Sequence, residues 1–199
     1  MSHPFVTRFA PSPTGALHLG HAYAAKVAKE TGFTGVQLHS AHGYLLSSFL
    51  SPLANQRKDE YGGTLKSRCR FLMETIAAVR REVGKDYPIA VKLNSADFQR
   101  GGFTHEEAIQ VASWLDQMNL DLLEISGGNY ENPVLLLGTE GDEEKTKTST
   151  ELREAYFLKY AKDIKRAMKQ TPLMVTGGFR TRSAMESAIH DGFCDIVGV

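Results

Sequence analysis

In the stretch Ile89-Ala90-Val91-Lys92-Leu93-Asn94, apolar and more polar side chains alternate. Successive side chains of a β-strand point to opposite faces. One face therefore carries Ile89, Val91 and Leu93, and the other Ala90, Lys92 and Asn94. Val36-Gln37-Leu38-His39 repeats the pattern, with Gln37 and His39 on the second face. Leu122-Leu123-Glu124-Ile125-Ser126 puts Leu122, Glu124 and Ser126 there. A doubly wound sheet covered by helices on both sides would be apolar on both. A second face that stays polar is what the inside of a βα barrel presents, with its active site at the C-terminal ends of the strands. Chance polarity in edge strands is the alternative.

The flanking sequence supports a repeating βα unit. Leu65, Cys69, Leu72, Ile76, Val79 and Val83 recur at spacings of four and three, one face of a long helix that Gly84 is placed to end. Thr104 and Glu107 form a capping-box pattern ahead of Ala108, Val111, Ala112, Leu115 and Met118. Glu151 to Gln170 reads as a helix, acidic at its start and basic near its end, as the helix dipole favours. Leu173 to Thr176 reads as a strand, Thr181 to His190 as a helix closed by Gly192, and Asp195 to Val199 as a last strand. Strands alternating with helices predict an α/β fold with a parallel sheet, TIM-barrel-like but partial. The polar stretch from Asn129 to Thr150 reads as a loop.

A chain of 199 residues suffices for one domain with a real core. Hydrophobic residues at 42% and charged residues at 23% are ordinary globular values and argue against disorder. Lys plus Arg and Asp plus Glu both number 23, so no global charge invites nucleic acid or an anionic membrane. Cys69 and Cys194 are too few for a disulfide framework and are expected as reduced core residues. No apolar run is long enough to span a bilayer, and Met1-Ser2-His3-Pro4 lacks the features of a signal peptide, so the cytoplasm is the expected compartment.

Where the strand at Val36 ends, His39-Ser40-Ala41-His42-Gly43-Tyr44-Leu45-Leu46 is followed by Phe49-Leu50-Ser51-Pro52, then Asn55, Arg57, Asp59, Glu60, Tyr61, Gly62 and Gly63. Further on come Lys92-Leu93-Asn94-Ser95-Ala96-Asp97-Phe98, Ile125-Ser126-Gly127-Gly128, Arg153-Glu154-Ala155-Tyr156-Phe157 and Thr176-Gly177-Gly178-Phe179-Arg180. In this order the motifs closely resemble the Old Yellow Enzyme family of FMN-dependent NAD(P)H oxidoreductases, from about Ala25 to Val199. The resemblance implies an eight-stranded α/β barrel. It implies that His39 and His42 donate hydrogen bonds to a carbonyl or nitro oxygen of a small substrate, and that Tyr44 protonates the α-carbon. It sets Lys92 beside the pyrimidine end of FMN, and Gly177, Gly178 and Phe179 at a turn facing the FMN phosphate. Each has an alternative reading: Lys92 as a core-edge lysine salt-bridged to a residue such as Glu124, and Gly177-Gly178 as a tight strand-to-helix turn and no more. The His39–His42 pair has no evident third ligand for a metal.

The first two dozen residues differ. Phe5-Val6-Thr7-Arg8-Phe9-Ala10-Pro11-Ser12-Pro13-Thr14-Gly15, then Leu17-His18-Leu19-Gly20-His21-Ala22, is similar to the opening of a glutamyl-tRNA synthetase. That resemblance implies a glutamate site around Arg8, Ala10 and Ser12, and ATP contacts from His18, Gly20 and His21 at a helix N-terminus. No KMSKS-type partner follows; Lys145-Thr146-Lys147-Thr148-Ser149 falls inside the flavoenzyme register. The chain is thus expected to be a chimera in one continuous domain. A grafted N-terminal βα segment over residues 1–24 is spliced in-helix to a partial barrel over residues 25–199. About five barrel-derived strands are expected where the family has eight, with several FMN contacts and a second phosphate-binding turn lacking. FMN binding and ene-reduction are therefore expected to be weakened or lost, and the open sheet edges to invite homo-oligomers. A non-enzymatic fold chimera and residual ATP binding are the alternatives.

Overall fold

The computed structural model describes residues 17–127 and 158–199, with side chains from residue 20 onward except that of residue 159. The order is α1 (Leu17–Glu30), β1 (Val36–Ser40), α2 (Leu45–Leu50), α3 (Leu65–Val83), β2 (Ile89–Asn94), α4 (His105–Asp116), β3 (Leu122–Ser126), α5 (Leu158–Ala167), β4 (Leu173–Thr176), α6 (Arg182–His190) and β5 (Ile196–Gly198). The five strands form one sheet in chain order, and every pairing is parallel.

The alternation quoted above is the organising feature. Leu38, Ile89, Val91, Leu93, Leu123, Ile125, Leu173 and Val175 are all buried in the main core cluster. The opposite face carries Gln37, His39, Lys92, Asn94, Glu124, Ser126 and Thr176. Register aligns it in rows, with His39 beside Lys92, Lys92 beside Glu124, and Asn94 beside Ser126.

The long helix forms as the spacing predicts. Cys69, Leu72, Ile76, Val79 and Val83 of α3 are buried, and Gly84 caps the helix at φ 86°, in the left-handed region that glycine tolerates. The Thr104–Glu107 capping box is present with both reciprocal bonds, Glu107 N–H to Thr104 Oγ1 at 3.2 Å and Thr104 N–H to Glu107 Oε2 at 3.3 Å. Thr181 caps α6 with its side chain alone, accepting from Ala184 N–H. The short helix α2 has no counterpart in the periodicity reading. It starts at Tyr44, whose side chain makes no cap hydrogen bond, and it buries Leu46, Ser47 and Leu50.

α1 lies against α3 with Ala22, Ala25 and Ala28 buried. Lys29 Nζ donates to the last-turn carbonyl of Val83 at 2.6 Å. The grafted strand expected within residues 1–16, the loop expected at Asn129–Thr150 and the first turn of the Glu151–Gln170 helix lie outside the described residues. Both cysteines are buried and free, and burial pushes the Cys69 thiol up to about 12. Among the described residues no helix is long and apolar enough to cross a membrane.

Candidate functional site

At the C-terminal end of β1 the chain turns sharply. His42 has φ 60° and Gly43 φ 77°, two successive left-handed residues, the first a non-glycine. That conformation persists where the surroundings hold it. Here the holder is Asn94 at the end of β2, whose Oδ1 accepts from the His42 N–H at 3.1 Å. The Asn94 amide is itself oriented, since Nδ2 donates to Asp97 Oδ1 at 3.0 Å. Asp97, 2% exposed, is fixed in turn by the Phe103 N–H on its other oxygen at 3.0 Å.

The turn brings three rings together. His39 and His42 pack edge to face with centroids 5.3 Å apart, and His39 lies 4.7 Å from the Tyr44 ring. Tyr44 is exposed; both histidines are partly buried. His39 Nδ1 accepts from the Ala41 N–H at 3.2 Å, so a neutral His39 carries its proton on Nε2. His42 Nε2 lies 2.9 Å from the Ser126 hydroxyl at the end of β3. The structure therefore places His39, His42 and Tyr44 in one cluster.

Lys92 sits one register row across from His39, buried, with Nζ hydrogen-bonded to Glu124 Oε1. Gln37 Nε2 donates to the other carboxylate oxygen at 2.6 Å. Burial alone would raise the Glu124 pKa. The Lys92 and Gln37 hydrogen bonds outweigh it and hold the carboxyl below its ordinary range. The salt-bridge reading of Lys92 is thus the one seen here, and the pair lies in the same register row as His39.

Gly177 (φ 111°) and Gly178 (φ 83°) follow β4 in backbone conformations that glycine adopts readily. Just before them the Thr176 hydroxyl is buried without a satisfying hydrogen bond, although it lies close enough to Glu124 to lower that pKa. An unsatisfied hydroxyl at the head of a glycine turn is chemistry that suits a phosphate oxygen. The donor set therefore fits a flavin mononucleotide in part, with Lys92 as the cation and the Thr176–Gly178 turn as donors. Phe179, by contrast, is 7% exposed and packs in the core cluster.

The remaining motif residues divide. Asn55 Nδ2 closes its loop by donating to the Phe49 and Tyr61 carbonyls, each at 2.7 Å, and Arg57 pairs with Asp59. A Cβ on Gly62 would lie 2.0 Å from the Arg57 carbonyl oxygen, so glycine is needed there for close approach. These residues build the support under α2. In the N-terminal motif, Gly20 is exposed, but His21 is 5% exposed and meets Phe71 of α3 edge-on with centroids 6.4 Å apart. The reading that sets His21 on ATP at an open helix end meets a ring turned into the core. The His18 side chain and Arg8, Ala10 and Ser12 lie outside the described residues. Asn94 and Ser126 were visible in the sequence as polar-face residues, yet their roles depend on register across strands, which local pattern does not encode. Among the described residues no group of three His, Cys, Asp or Glu side chains could hold a metal.

A parallel βα sheet with its polar groups gathered at the strands' C-terminal ends defines a segment of a βα barrel. The model of the NADH:flavin oxidoreductase / NADH oxidase family matches residues 20–199, and the chain belongs to that family. The class I tRNA synthetase (E and Q) catalytic-domain model matches residues 4–29. The NADH-dependent flavin oxidoreductase iccE of Talaromyces variabilis is 38% identical over 93% of this chain and 44% of its own length. Among solved structures, a 2-naphthoyl-CoA reductase complex superposes with a TM-score of 0.79 at 33% identity, over 91% of this chain and 26% of that one. The Old Yellow Enzyme homologue from Zymomonas mobilis gives 0.69 at 27% identity, over 92% and 46%. The chain thus spans less than half the length of these relatives, and the architecture is that of a partial βα barrel.

Proposed function

We propose that the chain carries the substrate-oxygen and proton-delivery part of an FMN-dependent NAD(P)H oxidoreductase site of the ene-reductase type. The observation that carries this reading is the clustering of His39, His42 and Tyr44 beside the buried Lys92–Glu124 pair. The His39 Nε2–H and the His42 ring donate to the oxygen of an α,β-unsaturated carbonyl or nitro substrate. Donors fixed where negative charge develops lower the barrier without having to reorganise. Tyr44, exposed beside them, supplies a proton to the α-carbon. Lys92, Thr176, Gly177 and Gly178 would hold FMN. When bound, FMN supplies the hydride, which no side chain can provide.

FMN titration followed by flavin fluorescence tests the reading. Saturable quenching, together with NADH-dependent reduction of a cyclic enone, supports it. A chain that takes up no FMN overturns it.

The N-terminal match carries a second reading, in which the chain is a chimera joined within α1. Residues 20–29 fall inside both family matches, and all of them lie in that one helix. A cooperative thermal melt of the flavin-free monomer supports a single domain across the join; a molten or aggregated sample counts against it. Residual ATP binding at His18 and His21 belongs to this reading, and an ATP titration without a saturable signal removes it.

A further inference from the structure

The polar layer contains a hydroxyl whose proton has one place to go. Ser126 ends β3, is 2% exposed, and its Oγ lies 2.9 Å from His42 Nε2. The Ser126 carbonyl is engaged separately, accepting from the Ser95 N–H at 2.6 Å. Among the described residues the ring is the hydroxyl's one hydrogen-bond partner. If Nε2–H donated to Oγ, the hydroxyl proton would be buried with no acceptor among the described residues, which is unfavourable. If Oγ–H donates to Nε2, the hydroxyl proton is satisfied and the neutral ring carries its own proton on Nδ1.

We propose that Ser126 is a positioning residue, which fixes His42 as the Nδ1–H tautomer by donating to Nε2. The backbone of His42 is held by Asn94 Oδ1 and its ring by Ser126, so two neighbouring strands set orientation and tautomer together. His39 shows the same logic with the nitrogens exchanged, since its Nδ1 takes the Ala41 N–H and its Nε2 keeps the proton. Each imidazole thus spends one nitrogen on a contact within the fold, which sets where the neutral ring carries its proton. The consequence for a substrate oxygen rests on the function proposed above; the tautomer does not.

The test uses the full, flavin-free chain, labelled with nitrogen-15, at about pH 8, where an imidazole of ordinary pKa is neutral. Long-range proton–nitrogen correlations distinguish protonated from bare ring nitrogens, and His42→Gln assigns the signals. The expected result is a bare Nε2 and a protonated Nδ1 on His42. Ser126→Ala is expected to shift His42 to the Nε2–H form that imidazole side chains favour in water, while His39 keeps its pattern. Ser126→Thr, which retains the hydroxyl, is expected to restore the parent pattern. A protonated Nε2 in the unmodified chain overturns the proposal, and so does an unchanged pattern in Ser126→Ala. Should Ser126→Ala fail to fold, the unmodified chain alone decides. Failure to bind FMN would remove the proposed function and leave this result standing.

Discussion

Two side chains in the polar layer make opposite predictions. Tyr44 is 45% exposed and holds its ring against His39. Tyr44→Phe is therefore expected to lower kcat for enone reduction about a hundredfold or more, the scale of general acid catalysis, while the thermal midpoint hardly moves. Lys92 is the reverse case, with its side chain and that of Glu124 each 5% exposed. Lys92→Met leaves a buried carboxylate with neutral partners, Gln37 and the nearby Thr176 hydroxyl, in place of a cation. The expected loss is about 3–5 kcal/mol in urea unfolding. Pairing it with Glu124→Leu is expected to recover most of that loss, because a buried ion pair can be exchanged for packed apolar side chains with little net change. A double variant as unstable as the single one would show that the polar layer stabilises the sheet through more than mutual neutralisation.

At the scale of elements, the junction between α4, α5 and β4 turns on one carboxylate. Asp116, at the last position of α4, accepts from the N–H groups of Lys169, Gln170 and Thr171 at 2.8, 3.1 and 2.8 Å. Burial pushes its pKa up, but these three donors together outweigh burial and hold it below the ordinary 3.8. A carboxyl depressed in the folded state contributes stability that is present above its unfolded pKa and is lost as pH falls through the folded one. Asp116→Ala is accordingly expected to cost roughly 3 kcal/mol or more at about pH 7, with the gap narrowing toward about pH 2. Urea midpoints across that range measure it, and a constant gap would assign the effect to packing. Elements were legible wherever a period or a cap was repeated locally. Six apolar positions at helical spacing gave α3, and Thr104 with Glu107 gave the start of α4. Helix α2 escaped because six residues hold too little of a period, and because Tyr44 is not a capping residue. Within the site, His39, His42 and Tyr44 were legible as a motif. The Asp97–Asn94–His42 chain and the Ser126 contact were not, since both join residues on different strands through register.

For the molecule as a whole, the described sheet ends at β5, a strand of three residues. Around that edge Ile189, Ile196 and Val199 are exposed, Val199 at 90%. An apolar parallel edge with open backbone groups pairs readily with another chain. The 199-residue chain is expected to show concentration-dependent association in sedimentation velocity, reduced by Ile196→Lys. Association that is insensitive to that substitution would locate the contact elsewhere. The other end of the molecule behaves differently, because of what α1 asks of its neighbours. It lies against α3 with Ala22, Ala25 and Ala28 buried, His21 meeting Phe71 edge-on and Lys29 latching onto the end of α3. Small side chains impose little shape on the surface they meet, so the same ten residues can satisfy two unrelated family patterns. On the chimera reading proposed above, such a helix is a coupling, across which the upstream segment is exchanged while the barrel segment beyond it keeps its packing.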